Sequence, residues 1–280
     1  MLSSHQIYLS LDGEDEIRLL IIGPGTKADP IYCHLKHANL SENPVYEAVS
    51  YMWGTDGPSW PININGYTEL VRENLHDALI QLRRPHSPRV LWIDALCINQ
   101  DDDQERNQQV AQMGMIYSRA ENVCISLGRK GPRLGSLRPK HAQETFDFIT
   151  KVAAFVDVKD NGLVNFVHSI EELVWVMSFF SLQYWKRLWI VQEVVLAAKL
   201  EIYWVESVIP FETLQDFLQV VRSWEALASE NALAEIDTSI HSGLIDPVPY
   251  RLYLQRRVTE ESSTAKKSTH SALGQNICGC

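Results

Sequence analysis

One carboxylate, Glu193, stands in an otherwise largely apolar stretch, residues 188–196 (LWIVQEVVL). On a helix, Trp185, Trp189 and Glu193 recur at i, i+4 and i+8 and share one side. A carboxylate there is either paired inside the core or set at the rim of a pocket. Burial would raise its pKa unless a cation or hydrogen-bond donors compensate. Arg187 falls on a different face of such a helix, so a distant partner or a ligand is required.

Asp94 is the second candidate. It comes late in the apolar segment 89–98 (RVLWIDALCI), and Ser50, Tyr51, Trp53 and Gly54 hold the equivalent place after residues 45–51 (VYEAVSY). In open α/β sheets, ligands collect outside the carboxyl ends of the strands, so these two segment ends are expected to line one crevice. The competing reading has Asp94 capping a loop and Trp53 closing the core.

Other chemistry is not signalled. The chain has no G-x-G-x-x-G, no G-x-x-x-x-G-K-[ST] and no G-x-S-x-G, which removes the common phosphate cradles and the esterase elbow. Gly23-Pro24-Gly25 reads as a plain turn. Cys33, His34 and His37 lack a second ligand cluster, so a surface segment rather than a zinc site is expected and no metal is assigned. Cys97 has no recognisable histidine partner and reads as a buried thiol. The triplet Asp101–Asp103 reads as helix capping, because consecutive carboxylates in a first turn diverge; Asp102 and Glu105 have capping-box spacing.

The elements that must position these residues alternate. Strands are expected at 17–22, 45–51, 62–64, 89–98, 122–127 and 200–205, and Asn65-Gly66 signals a tight turn. Helical spacing covers 71–82, a segment after the acidic triplet, 142–155, 170–180, 184–198 and 211–227. The near-continuous apolarity of 89–98 suits a strand covered on both faces. The expected architecture is α/β, an open, mostly parallel sheet flanked by helices, with a helical elaboration in the C-terminal half. Residues 1–45 form a lead-in, 199–257 a strand and helical extension, and 258–280 a polar tail expected to be disordered.

Composition narrows the setting. Hydrophobic residues make up 45% and charged residues 21% of the 280, enough to bury a sizeable core, which excludes disorder over most of the length. Acidic residues outnumber basic ones 35 to 25, for a net charge of −10, which argues against a nucleic-acid partner bound by phosphate neutralisation. The longest apolar run, residues 173–182, falls short of the roughly 20 residues of a membrane span. The start of the chain does not read as a signal peptide, and five irregularly spaced cysteines suit a reducing, cytoplasmic location.

Several blocks together resemble the fungal heterokaryon incompatibility (HET) domain: residues 46–54 (YEAVSYMWG), 91–100 (LWIDALCINQ), then Glu105-Arg106, Gln109-Val110, Met113, Ile116-Tyr117, Ala120, Leu127-Gly128, and finally Trp185, Arg187, Trp189 and Gln192-Glu193. They occur in the family's order over about 46–198. Ser126 stands where the family usually has tryptophan, and the usual Arg-Pro-Trp before the last block is absent. The resemblance implies self/non-self recognition and programmed cell death. It also implies a fold similar to Toll/interleukin-1-receptor (TIR) domains, some of which hydrolyse NAD with a glutamate placed like Glu193 in Trp189-x-x-x-Glu193. On that footing Glu193 is the expected catalytic residue, and Tyr51, Trp53, Asp94 and Trp189 shape a site for NAD as substrate, with no cofactor. The expected partner is a second copy or an incompatibility protein. The alternative is a non-catalytic module that signals by self-assembly.

Overall fold

In the computed structural model, residues 7–55, 57–129, 141–155, 170–187, 190–230 and Gln255 are described. They build one nine-stranded sheet with helices packed against it. In chain order the strands are β1 Glu16–Ile22, β2 Tyr32–Asn39, β3 Glu47–Tyr51, β4 Ser59–Ile64, β5 Tyr67–Arg72, β6 Arg89–Trp92, β7 Asn122–Ser126, β8 Leu200–Trp204 and β9 Ser207–Pro210. The helices are α1 Glu73–Leu82, α2 Asp94–Cys97, α3 Asp103–Arg119, α4 His141–Ala153, α5 Ile170–Phe180, α6 Ile190–Val195 and α7 Phe211–Glu230.

The sheet order is β5-β4-β2-β1-β6-β3-β7-β8-β9. The run β6-β3-β7-β8 is parallel throughout, and β7 is buried at every position. The flanks are mixed: β1 pairs antiparallel with both β2 and β6, β2 runs parallel to β4, and hairpins close both edges. The α/β architecture is therefore as expected, but parallel pairing is confined mainly to the centre. At the β4–β5 hairpin Asn65 and Gly66 both have positive φ, 53° and 87°, the backbone that a two-residue turn of this kind demands.

Three element boundaries differ from the sequence reading. The strand expected over 89–98 stops at Trp92, and Asp94 opens the one-turn helix α2. Ile93, Leu96, Cys97 and Ile98 are all buried, so apolarity continued through a change of backbone that a short run cannot reveal. Val71 belongs to β5, and α1 begins at Glu73. The helix expected over 184–198 is broken: Gln183–Lys186 form a 3-10 turn, Arg187 is extended, and α6 starts at Ile190. Three strands, β2, β5 and β9, were not anticipated. In β2 Cys33 is buried while its neighbour His34 is exposed, and His37 Nδ1 lies 3.0 Å from Glu16 Oε1. That alternation was the available signal.

Asp102 caps α3, accepting from the backbone N–H groups of Gln104 and Glu105. Glu105 does not complete the box. Its carboxylate pairs bidentately with Arg18 of β1, at 2.6 and 2.9 Å, and accepts from Asn99 N at 2.7 Å. Both side chains are almost fully buried. The pair ties β1 to α3 and holds the connection from α2 to α3, where Gln100 donates back to the Asp94 carbonyl at 3.0 Å.

The basic segment 130–140, the C-terminal part of the extension after 230 (Gln255 apart) and the tail after 258 lie outside the described residues. No helix among the described residues is long and apolar enough to cross a membrane.

Candidate functional site

The carboxyl ends of β3 and β6 open on a cavity of ≈ 1050 Å³. Trp53, Asp94, Arg187 and Glu193 all contribute to its wall, as do Gly54, Asn74 and Gln100. The adjacent parallel strands β3 and β6 bring Trp53 and Asp94 to one hollow, and Glu193 reaches it from α6.

Glu193 is only 1% exposed. Arg187 grips it with two parallel bonds, Nη2 to Oε1 and Nη1 to Oε2, each 3.0 Å. Ser50 Oγ, at the end of β3, also donates to Oε2. Tyr184 Oη lies 2.5 Å from Ser50 Oγ. Since the serine proton is committed to the carboxylate, the tyrosine is the donor in that contact. The expectation that Arg187 could not serve as the partner is corrected. The break at Arg187 takes it off the helix, so helical-face spacing no longer applies and the guanidinium turns back onto Glu193. For the same reason Trp185 is not stacked on Glu193's helix: it sits in the 3-10 turn, buried, with Nε1 donating to the Phe179 carbonyl at 2.9 Å. A carboxylate offers about four acceptor positions. The three bonds above leave one on Oε1.

Asp94 is half-buried. Its Oδ2 accepts from Trp53 Nε1 at 2.8 Å and its Oδ1 from Ala95 N at 2.7 Å. Burial pushes its pKa up from 3.8 to about 6; the Trp53 bond opposes that rise and the charge of Glu193 adds to it. The folded chain therefore favours the protonated form. Asp94's contribution to stability is fully present below about pH 4 and is lost as the pH rises through 6. The shift corresponds to about 3 kcal/mol at neutral pH. Asp94→Asn keeps the shape and removes the charge, but one of the two acceptors goes, offsetting about 1 kcal/mol. Chemical denaturation should show Asp94→Asn more stable than the parent by about 2 kcal/mol at pH 8, with the gain gone at pH 4. A variant equally destabilised at both pH values would contradict a strained carboxylate.

The loop carrying Trp53 is pinned from the start of α1. Asn74 Nδ2 donates to the Met52 carbonyl at 2.9 Å. Gly54 has φ +77°, and a Cβ there would meet Asn74 Nδ2 at 2.9 Å, so both backbone and space call for glycine. Trp53 itself is 37% exposed, an open aromatic wall.

Tyr51 is not on the wall. It is 3% exposed, near enough to Asp94 and Glu193 to feel their charge, and burial raises its phenol well above the usual range. A lining role for Tyr51 is therefore corrected to a buried support. Trp189 lies outside the described residues. Cys33, Cys97 and Cys124 are free and buried, and burial pushes the Cys97 thiol up to about 12, so it is no nucleophile at neutral pH. Ser126, the departure noted in sequence, bonds Gln81 at 2.7 Å and is not part of the cavity wall. Sequence reasoning missed Tyr184, and Arg187 as the partner of Glu193; Ser50 was placed at the crevice, but its bond to Glu193 comes only from sheet and turn geometry.

No solved structure matches this chain. A curated relative, heterokaryon incompatibility protein 6, OR allele, of Neurospora crassa, is 26% identical over 224 residues, which is 67% of this chain and 33% of that protein. The chain thus spans about a third of its relative's length. The family model for heterokaryon incompatibility protein (HET) matches residues 46–193, from the residue before β3 to Glu193 itself. That span contains the site's two strand ends, the α2–α3 connection and the Arg187–Glu193 grip, and over it the chain belongs to the heterokaryon incompatibility family.

Proposed function

We propose that this chain supplies the signalling domain of a heterokaryon-incompatibility protein, acting in the cytoplasm toward cell death, and that its cavity cleaves NAD at the nicotinamide–ribose bond. The observation that carries the chemistry is the meeting of Asp94 and Glu193 at one ≈ 1050 Å³ cavity. Nicotinamide bears a positive charge in NAD and departs neutral, so the general acid that ordinary glycosidases need is dispensable. What remains is to hold the ribose and to stabilise an oxocarbenium-like centre. The open acceptor position on Glu193 Oε1 takes a ribose hydroxyl. Its anionic charge, fixed by Arg187 and Ser50, needs no reorganisation as positive charge develops. Trp53 offers a face for a base.

The test is nicotinamide release by the purified chain at high concentration, followed from pH 4.5 to 8. Release should rise through about pH 6 as Asp94 ionises, because the second anion adds to the stabilisation. Intact NAD at every pH and concentration would remove the enzymatic reading.

One observation favours the alternative, a non-catalytic module that signals by self-assembly or through a partner. Both oxygens of Glu193 are already bonded, which is what a structural anion requires. Light scattering on the same samples separates the two: assembly with NAD intact supports the module.

A further inference from the structure

We infer that the outer edge of β5 is a dimer interface, on which a second copy of this chain adds its own β5, antiparallel, with Leu70 opposite Leu70. Such an edge acts whether or not the cavity cleaves NAD.

Among the described residues β5 is the last strand on its side of the sheet. Which of its amides face outward follows from the turn before it. The two-residue turn Asn65-Gly66 makes Ile64 and Tyr67 a hydrogen-bonded pair, and such pairs alternate along an antiparallel ladder. In the observed register Ile62 with Glu69 and Trp60 with Val71 are then bonded pairs too. The N–H and C=O groups of Thr68 and Leu70 therefore point away from β4. Pro61 agrees with this assignment. It lies opposite Leu70, where a missing N–H costs the β4–β5 ladder nothing. Neither Thr68 nor Leu70 has a backbone partner on its outer side among the described residues. The other end of the sheet is guarded: β9 has four residues and ends in Pro210, which cannot donate. β5 has six residues and no proline.

The side chains point the same way. Tyr32 pairs with Asn63 and Pro61 with Leu70, so alternation puts all four on one face. Leu70 is 67% and Tyr32 57% exposed, and Pro61 is exposed beside them. The opposite face meets α1, where His76 stacks on Trp60 at 5.1 Å. An unpaired edge flanked by exposed apolar side chains is a template for another strand.

Charge selects a second copy and its register. With Leu70 opposite Leu70, Thr68 meets the second copy's Arg72 and Glu69 meets its Val71, so no like charges face each other. Sliding two residues one way sets Glu69 against Glu69, a destabilising contact. Sliding two the other way sets Leu70 against Arg72 and loses the apolar pair. Sliding by one residue mismatches the outward amides. A two-fold axis through Leu70 therefore gives one favoured register, and it closes the edge instead of propagating it.

The full chain should sediment as a monomer–dimer equilibrium across a concentration series at physiological salt. Its charge of −10 per copy is then screened beyond about 8 Å. As dimer accumulates, hydrogen exchange at Thr68 and Leu70 should slow. Leu70→Lys should weaken dimerisation at least about tenfold, with the unfolding midpoint of the dilute monomer unchanged because the side chain is exposed. Cross-linking reads the register, in a chain carrying Cys278→Ser and Cys280→Ser, whose other three cysteines are buried. Leu70→Cys should form an intermolecular disulfide under mild oxidation, since its counterpart lies about 5.5 Å away at Cα. Thr68→Cys should not, because its counterpart is roughly 14 Å away. A monomer at every concentration overturns the second copy and leaves the edge to a strand from another protein. A dimer indifferent to Leu70→Lys, or linked through Thr68→Cys as readily as through Leu70→Cys, overturns the interface as assigned.

Discussion

Glu193→Gln is expected to cut nicotinamide release by at least about a hundredfold, the usual order for removing one electrostatic stabiliser from a reacting centre. Shape is nearly kept and charge is lost. Gln still presents one carbonyl oxygen to Ser50 or Arg187, but its amide hydrogens face the other guanidinium nitrogen. Arg187 is then left without its counter-ion. Its side chain retains 18% exposure and lies over the Tyr184 ring, 5.7 Å from the centroid, so part of the loss is recovered from solvent and the ring face. The stability cost should be about 1–3 kcal/mol, not collapse of the fold. Circular dichroism and a denaturant titration check the fold, and a nicotinamide assay checks the rate. Full activity in a folded Glu193→Gln chain would reject Glu193 as the stabilising anion. A chain that never released nicotinamide but lost self-assembly on this substitution would point to the structural reading.

A second large effect should come from outside the cavity. Arg18→Met leaves Glu105 as a buried charge with only the Asn99 N–H still bonded to it. Removing one partner of a buried pair costs about 3–5 kcal/mol, because the remaining ion keeps its desolvation penalty. The double variant Arg18→Met/Glu105→Leu should lose clearly less than the sum of the two single losses, since it leaves neither ion behind. Guanidinium titrations of the four chains measure the coupling. Additive losses would show the pair to be energetically independent. The connection from α2 to α3 hangs from Glu105 through Asn99, and Gln100 within it bonds the Asp94 carbonyl. Arg18→Met is therefore expected to raise KM as well, whereas the double variant, if it repacks, restores stability before it restores KM.

These two pairs show where local pattern fails. Helical periodicity placed Arg187 on the wrong face of Glu193, because it assumed an unbroken helix through residues that instead form a 3-10 turn and an extended link. Capping-box spacing matched Asp102 with Glu105, and Asp102 does cap α3. The stronger partner for Glu105 lies 87 positions away in β1. A charged group can satisfy a nearby backbone N–H at modest gain, but burial makes a counter-ion far more valuable. The apolar segment that ends in α2 posed a third version of the same problem, since strand and buried helical turn demand the same side chains.

What the sequence determined by itself was the inventory: strands and helices set by apolar runs and turn residues, family membership set by ordered blocks, and two carboxylates set in apolar surroundings. Those are local properties of residue type and spacing, so they survive without coordinates. Only the tertiary structure decided which strands sit side by side, and hence that Ser50, Asp94 and Glu193 meet across 143 positions of chain. It also decided that Arg187 holds Glu193, that Tyr51 lies inside while Trp53 lies open, and that the sheet turns antiparallel at its flanks. Strand order and ion pairing are chosen by the free energy of burying whole faces and neutralising buried charge, terms that belong to the packed chain and to no segment of it.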